Sequence, residues 1–230
     1  MNGMKFFRKI MAILLAAVLC WGAWQMWGQE AQLALRQLLC PAAGEEFGQH
    51  LILVNEDHYI PADYQPELTQ LSNGQLVGTA IYPDLQEMFD QARSQGYGLF
   101  VREGYRTYDS QRQIMEEKQQ SLEQEGYSAR EAEKLAKQWV AEPGTSEHQL
   151  GLAVDINPDR TISSGEAVYG WLAENAHNYG FIRRYPPDKT AITGVAYEPW
   201  HYRYVGREAA QQMVQLDMCL EEYIAFLQAQ

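Results

Sequence analysis

Cysteine is scarce in this 230-residue sequence, with three in all. Cys20 lies in an apolar run, which leaves Cys40 and Cys219. No Cys-x-x-Cys pair exists, so the thiols are not read as metal ligands. Cys40 and Cys219 can pair in an oxidising exterior or stand as two free thiols, and their spacing does not decide between these. Positive charge is also short: 18 Lys and Arg stand against 30 Asp and Glu, a net charge of -12. Nucleic-acid binding needs a basic surface that displaces counterions from phosphates, so that class is excluded. Internal repeats and low-complexity tracts are absent. Apolar residues are not lacking: they make up 46% of the chain, with 14 tyrosines and 6 tryptophans, enough for a core.

The charge is unevenly placed. Lys5, Arg8 and Lys9 precede an apolar run from Ile10 to Gly28, and no acid occurs before Glu30. A basic stretch followed by about 19 mostly apolar residues reads as a signal-anchor helix, with a cleaved signal peptide as the alternative. The run lacks a clean small-x-small cleavage site. Trp21, Trp24 and Trp27 suit the far membrane interface, and the basic residues place the remainder outside the cytoplasm. Leu19 precedes Cys20 where a lipoprotein box wants a small residue. The expected organisation is a basic tail and anchor over residues 1–28, a Gln- and Ala-rich stalk over 29–46, and one domain over 47–230. Single-pass attachment to the cell membrane follows, with secretion after cleavage as the alternative.

Within the domain, Leu51 to Val54 suits a strand or extended segment, and Asn55 to His58 is turn chemistry. A helix is predicted from about Pro83 to Gln95, with Leu85, Met88, Phe89 and Ala92 on one face. Leu99 to Val101 reads as a strand. Asp109 can cap a second helix to about Glu125, and Ser128 with Glu131 makes a capping box for a third, to about Val140. Leu152 to Ile156 reads as a buried strand. Glu166 to Tyr179 reads as a helix stopped by Gly180. Phe181-Ile182 and Tyr202 to Val205 are strand candidates, and residues 207–228 form one or two closing helices. Helices mixed with short, irregularly spaced strands indicate an α+β domain.

Two segments are dense in chemistry-bearing residues: Gly144 to Asp155 and Glu198 to Tyr204. A hydrolytic zinc site wants three ligands from His, Asp or Glu, an open position for water, and a carboxylate nearby to take the water's proton. His148, Asp155 and His201 can supply the ligands and Glu198 the carboxylate. His148 and Asp155 are seven apart, so one straight strand would put them on opposite faces. Gly151 offers the break that frees His148 to sit on a loop. Pro199 disfavours a helical Glu198, so a bent segment entering a strand is expected there. Taken singly, each residue has a plain reading: a core histidine, a turn-capping aspartate, a solvated glutamate.

The ordered set is more specific. Ser146-x-His148-x-x-Gly151-x-Ala153-x-Asp155, followed by Glu198-x-x-His201, resembles the signature of the VanY-type D-alanyl-D-alanine carboxypeptidases. Those enzymes sit within the wider lysostaphin-type, D-Ala-D-Ala peptidase and Hedgehog-like zinc group. Leu53-Val54-Asn55, Pro61 to Pro66, Glu103-Gly104-Tyr105-Arg106-Thr107-Tyr108, Tyr179 to Pro186 and Ile192-Thr193-Gly194 also match that family, so the resemblance covers most of the domain. It implies a small central antiparallel sheet flanked by helices and carrying one zinc ion on His148, Asp155 and His201. It further implies Glu198 as general base, Arg106 as the grip on the substrate's terminal carboxylate, and Ser146 and Gln111 as aids in holding the terminal residue. A planar guanidinium suits such a grip. Ser146 can instead be a plain loop cap and Gln111 plain helix surface. Glu103 stands where the family commonly has Ser.

The implied reaction is hydrolysis of the C-terminal D-Ala from peptidoglycan stem peptides by a monomeric enzyme. L,D-carboxypeptidase, dipeptidase and endopeptidase activities share the scaffold and stay open, although Arg106 favours an exopeptidase. A non-catalytic wall-binding domain on the same fold is the remaining alternative.

Overall fold

The computed structural model describes residue 28 and residues 30–230. The basic and apolar stretch assigned to the anchor lies outside the described residues apart from Gly28. Among the described residues, no helix is long and apolar enough to cross a membrane. The chain divides into two compact units, Met1–Cys40 and Pro41–Gln230. In the first, residues 30–39 are helical. All that follows concerns the second.

Its centre is a four-stranded antiparallel sheet in the order β3-β4-β6-β5, with β3 Leu99–Glu103, β4 Ala153–Pro158, β5 Phe181–Arg183 and β6 His201–Tyr204. A separate hairpin, β1 Leu68–Gln70 and β2 Leu76–Gly78, precedes it. Helices α1 Tyr82–Ser94, α2 Tyr108–Gln124, α3 Ala129–Ala136, α4 Gly165–Asn175, the short α5 Thr190–Thr193, α6 Arg207–Leu216 and α7 Leu220–Gln228 complete the unit. The α+β class expected from the pattern is what forms.

The main core lies on one side of the sheet. Val101, Val154, Ile156 and Tyr202 pack there with Leu85, Met88, Phe89 and Ala92 of α1 and with Val168, Trp171 and Leu172 of α4. A second cluster joins Leu51 and Leu53 to Ile182, Val205 and buried residues of α6 and α7. The charged pair α2 and α3 closes over a small cluster of its own, Met115, Leu122, Ala132 and Ala136.

Local chemistry sets several boundaries. Helix α2 is capped by Thr107, whose hydroxyl accepts from Ser110 N. Asp109 falls inside the first turn, where its charge faces the helix dipole and pairs with Arg112 at 3.1 Å. The expected Asp109 cap is therefore corrected by two positions. Ser128 and Glu131 form the anticipated capping box, but α3 ends at Ala136, short of Val140. Leu51 to Val54 is extended only in part: Gln49–Leu51 is a 3-10 turn, and Leu53 then bridges Ala43 in antiparallel fashion. The closing segment is two helices, broken where Asp217 takes a left-handed conformation, φ 54°.

The β1–β2 hairpin was not foreseen, although Asn73-Gly74 is a strong turn signal. Gly74 has φ 89°, and Asn73 Nδ2 donates to Val101 O at 2.7 Å, which ties the hairpin to β3. Beside it, Gly104 leaves β3 under the carbonyl of Leu76. A Cβ added there would sit 2.1 Å from that oxygen, which already accepts from Tyr105 N at 2.6 Å. Gly104→Ala is expected to destabilise the domain by about 1–3 kcal/mol through this overlap. Urea unfolding checks it: an unchanged midpoint would mean that the hairpin yields without cost.

Candidate metal centre and active site

Antiparallel register brings two of the candidate ligands together. Asp155 on β4 lies directly opposite His201 on β6. Ile156 N donates to Trp200 O and Tyr204 N to Leu152 O, so hydrogen-bonded pairs alternate along the ladder and Asp155–His201 falls between them. That is the kind of cross-strand pair whose side chains approach most closely. His201 Nδ1 lies 2.9 Å from Asp155 Oδ1.

His148 arrives from outside the sheet. Residues Glu147–Leu150 form a 3-10 turn that ends at Gly151 in the left-handed region, φ 69°, and β4 starts only at Ala153. The break expected at Gly151 is thus present. His148 Nε2 reaches Asp155 Oδ1 at 3.4 Å, and the ligand atoms of His148, Asp155 and His201 all lie within 4.8 Å of one another. Glu198 precedes a turn at residues 199–200 that leads into β6, and its Oε2 stands 3.9 Å from His201 Nδ1. The bend anticipated at Pro199 is what turns Glu198 toward the cluster.

Hydrogen bonds behind the rings fix which nitrogen faces the centre. His148 Nδ1 lies 2.7 Å from Gly104 O. A carbonyl only accepts, so Nδ1 carries the hydrogen and the Nε2 lone pair is left for the cluster. His201 Nε2 faces Glu147 Oε2 at 3.4 Å, which turns Nδ1 inward. Carboxylate or carbonyl partners behind ligating imidazoles are the usual support of a metal site.

Charge balance favours a cation here. Burial raises the Asp155 carboxyl, but His148 and His201 outweigh that and hold it below the usual carboxylate range. Burial lowers His201, yet its bonds to Asp155 and Glu147 push it up to about 9. Burial dominates at His148, whose pKa falls. The cluster therefore draws positive charge onto its inner edge, as a proton or as a metal ion. Two imidazoles, one carboxylate and a neighbouring carboxylate are the donor set of a hydrolytic zinc centre, and closed structural sites favour four protein ligands.

The remaining candidates surround this cluster. Arg106 Nη2 stands 3.6 Å from Asp155 Oδ2, and its backbone N donates to His148 O. Its Nε is buried without a hydrogen-bond partner, with Glu103 Oε1 3.7 Å away. Gln111 is not plain helix surface: it is buried, accepts from Arg106 Nη1 at 3.3 Å and donates to Ala141 O at 2.8 Å. Ser146 is buried ahead of the 3-10 turn, and its side chain makes no capping bond there. Among the described residues, Cys40 and Cys219 are free thiols, and burial, as the largest cause, raises Cys219 to about 11.

Sequence reasoning missed Glu147, Arg184 and Arg203. All three are buried and joined in one ion network that touches His201. Only the position of Glu147 beside His148 hinted at this, because a charged residue carries no mark of burial in the sequence.

Comparison with known proteins agrees with this centre. The family model described as VanY, D-alanyl-D-alanine carboxypeptidase, matches residues 74–207. A D-alanyl-D-alanine carboxypeptidase of Enterococcus faecalis (strain ATCC 700802 / V583) is 55% identical over 181 residues, covering 79% of this chain and 68% of that protein. The crystal structure of VanYB in complex with D-alanine-D-alanine superposes with a TM-score of 0.75 at 56% identity, over 76% of this chain and 97% of that one. A VanY D,D-pentapeptidase mutant in complex with Zn(II) gives the same TM-score and identity, over 76% and 99%. The LdcB LD-carboxypeptidase is more distant, with a TM-score of 0.64 and 38% identity over 75% and 84%. The chain belongs to the VanY family of D-alanyl-D-alanine carboxypeptidases.

Glu198 carries a cost that can be measured. Burial, helped by Asp155 and Glu147 and opposed by His201 and Arg106, lifts its pKa from 4.5 to about 7. The folded chain therefore holds a proton that the unfolded chain releases above pH 4.5, and stability falls as pH rises from there to about 7. In the metal-free protein, Glu198→Gln is expected to be stabilising by roughly 2–3 kcal/mol at pH 8, with the gain vanishing below pH 4. Denaturant titrations at the two pH values check this. A gain that persists unchanged at pH 4 would contradict the assigned cause.

Proposed function

We propose that this chain is a zinc-dependent D,D-carboxypeptidase that removes the C-terminal D-Ala from peptidoglycan stem peptides, using Glu198 as general base and Arg106 as the carboxylate anchor. The observation that carries the reading is the placement of Arg106, whose buried Nε lacks a hydrogen-bond partner, against the His148–Asp155–His201 cluster. A guanidinium beside a hydrolytic centre, with one N–H donor not hydrogen-bonded, suits a substrate that ends in a carboxylate close to the bond being cut. The Zn(II) and D-alanine-D-alanine complexes of VanY relatives support the metal and the substrate.

When bound by His148, Asp155 and His201, zinc supplies Lewis acidity and a water acidified enough to attack at neutral pH. The protein's own groups do the rest. Glu198, 3.9 Å from His201 Nδ1, takes a proton on its carboxylate and returns it to the leaving amine. Arg106 holds the terminal carboxylate, and Gln111 fixes the guanidinium by accepting from Nη1. Ser146, buried beside His148 with no capping bond of its own, would contact the terminal residue. An L,D-carboxypeptidase is the second reading, supported by the likeness to LdcB. The basic N-terminal residues and the apolar run after them support a placement outside the cytoplasm on a membrane anchor. Protease treatment of intact cells should then release or destroy the activity; full protection would place the enzyme inside.

The decisive assay incubates the protein with muramyl pentapeptide and muramyl tetrapeptide, with and without chelator, and follows free D-Ala by mass spectrometry. Chelator-sensitive release from pentapeptide is expected. Release from tetrapeptide alone would select the L,D reading, and release from neither would sink both. Glu198→Ala should keep zinc stoichiometric yet lower kcat by about 10²–10⁴-fold. Arg106→Met should lower kcat/KM by about 10–100-fold through loss of charge-assisted bonds to the carboxylate.

A further inference from the structure

The acid beside the first metal-site histidine lies in an unusual position. Glu147 is buried to 1% side-chain exposure, between Arg184 and Arg203, each at 0%. Both guanidiniums converge on one oxygen: Arg184 Nε donates to Oε1 at 2.7 Å and Arg203 Nη1 to the same atom at 2.9 Å. The other oxygen, Oε2, is left for His201 Nε2 at 3.4 Å. A buried ion pair is weak evidence for stability, because packed apolar residues fill the same space at no greater cost. This arrangement needs another account, and the division of the two oxygens supplies one.

The network reaches far along the chain. Arg184 forks onto Glu221 of α7 through Nη1 at 2.8 Å and Nη2 at 2.6 Å. Arg203 Nη2 donates to His50 O at 3.1 Å and Ile52 O at 2.7 Å. The ring of Tyr185 also lies against that of His201, centroids 5.0 Å apart. Segments on both sides of the 74–207 family match thus hold Glu147 in place.

We propose that Glu147 is a positioning residue for the metal centre: its Oε2 keeps the hydrogen of His201 on Nε2, so that Nδ1 presents its lone pair to the metal, while Arg184 and Arg203 hold that carboxylate from its other oxygen. The proposal rests on His201 being a zinc ligand. Glutamine at 147 makes the logic plain. An amide has one acceptor oxygen, and two guanidiniums claim it. Its NH2 then meets His201 Nε2–H, donor against donor, and the ring is driven to carry its hydrogen on Nδ1, where it blocks coordination.

The test uses the full chain. Zinc affinity is measured by competition with a chromophoric chelator, His201 ring hydrogens are followed by ¹⁵N–¹H correlation in the metal-free protein above pH 9, where the ring is neutral and carries one hydrogen, and thermal midpoints are recorded. Glu147→Gln is expected to weaken zinc binding by about 10–100-fold and to move the His201 ring hydrogen off Nε2. Glu221→Gln breaks the same network one step farther from His201. It should lower the thermal midpoint yet leave zinc affinity within two-fold. If Glu147→Gln does not fold, Glu147→Asp keeps the charge for the arginines but shortens the reach, and it should weaken zinc in the same direction. Equal zinc loss in the 147 and 221 variants would make the network merely structural and overturn the proposal, as would unchanged affinity in Glu147→Asp. A wild-type chain that binds no zinc would instead remove the functional reading along with it.

Discussion

Antiparallel pairing of β4 with β6 sets Asp155 across from His201, and most of the site follows from that register. A slip of β6 by one residue would turn His201 to the other face, into the apolar layer of Val154, Ile156 and Tyr202, and away from Asp155. The register is held by that same layer, which buries one face of the sheet against α1 and α4. The core does not surround the candidate metal centre; it fixes the ladder on which Asp155 and His201 stand. His148 is then brought in by the 3-10 turn and Gly151, and Arg106 by the exit of β3 past Gly104.

Electrostatics gives the site its character. Three carboxylates, Glu147, Asp155 and Glu198, are largely out of water within one small region. They have opposite fates. Arginines hold Glu147 ionised, imidazoles hold Asp155 ionised, and Glu198, with burial dominant, is left near neutrality's midpoint. Neighbouring carboxyls whose surroundings drive their pKa values apart can take different chemical roles within one site. The cost of keeping Glu198 in that state is met by the apolar layers elsewhere.

Much of this was legible in the linear chain, and the failures are specific. The amphipathic face of α1, the Ser128 capping box, the stop at Gly180 and the breaks at Gly151 and Pro199 are local effects, and they form as read. Thr107 displaced Asp109 as the cap because its hydroxyl accepts from Ser110 N, which starts the helix two residues earlier than an Asp109 cap would. The β1–β2 hairpin escaped notice because its strands are three residues each and lack a clear alternation, although Asn73-Gly74 marked the turn. Gln111 had two readings, an aid to substrate holding by resemblance and plain helix surface by pattern; it is buried because its partners, Arg106 and Ala141 O, come from other segments.

By itself the sequence determined the α+β class, most of the helices and the strands of the main sheet, the four residues with the right chemistry, and the likeness to a zinc peptidase family. These depend on residue type and short spacing, which a linear chain displays. The tertiary structure decided which nitrogen of each histidine faces inward, which carboxylate sits near pH 7, and which arginine keeps a donor unpaired. It also decided that Glu147, Arg184, Arg203 and Glu221 are one unit, although the chain separates the first and last by 74 positions (221 minus 147). Burial and partnership are properties of packing between distant segments, and no local pattern encodes them.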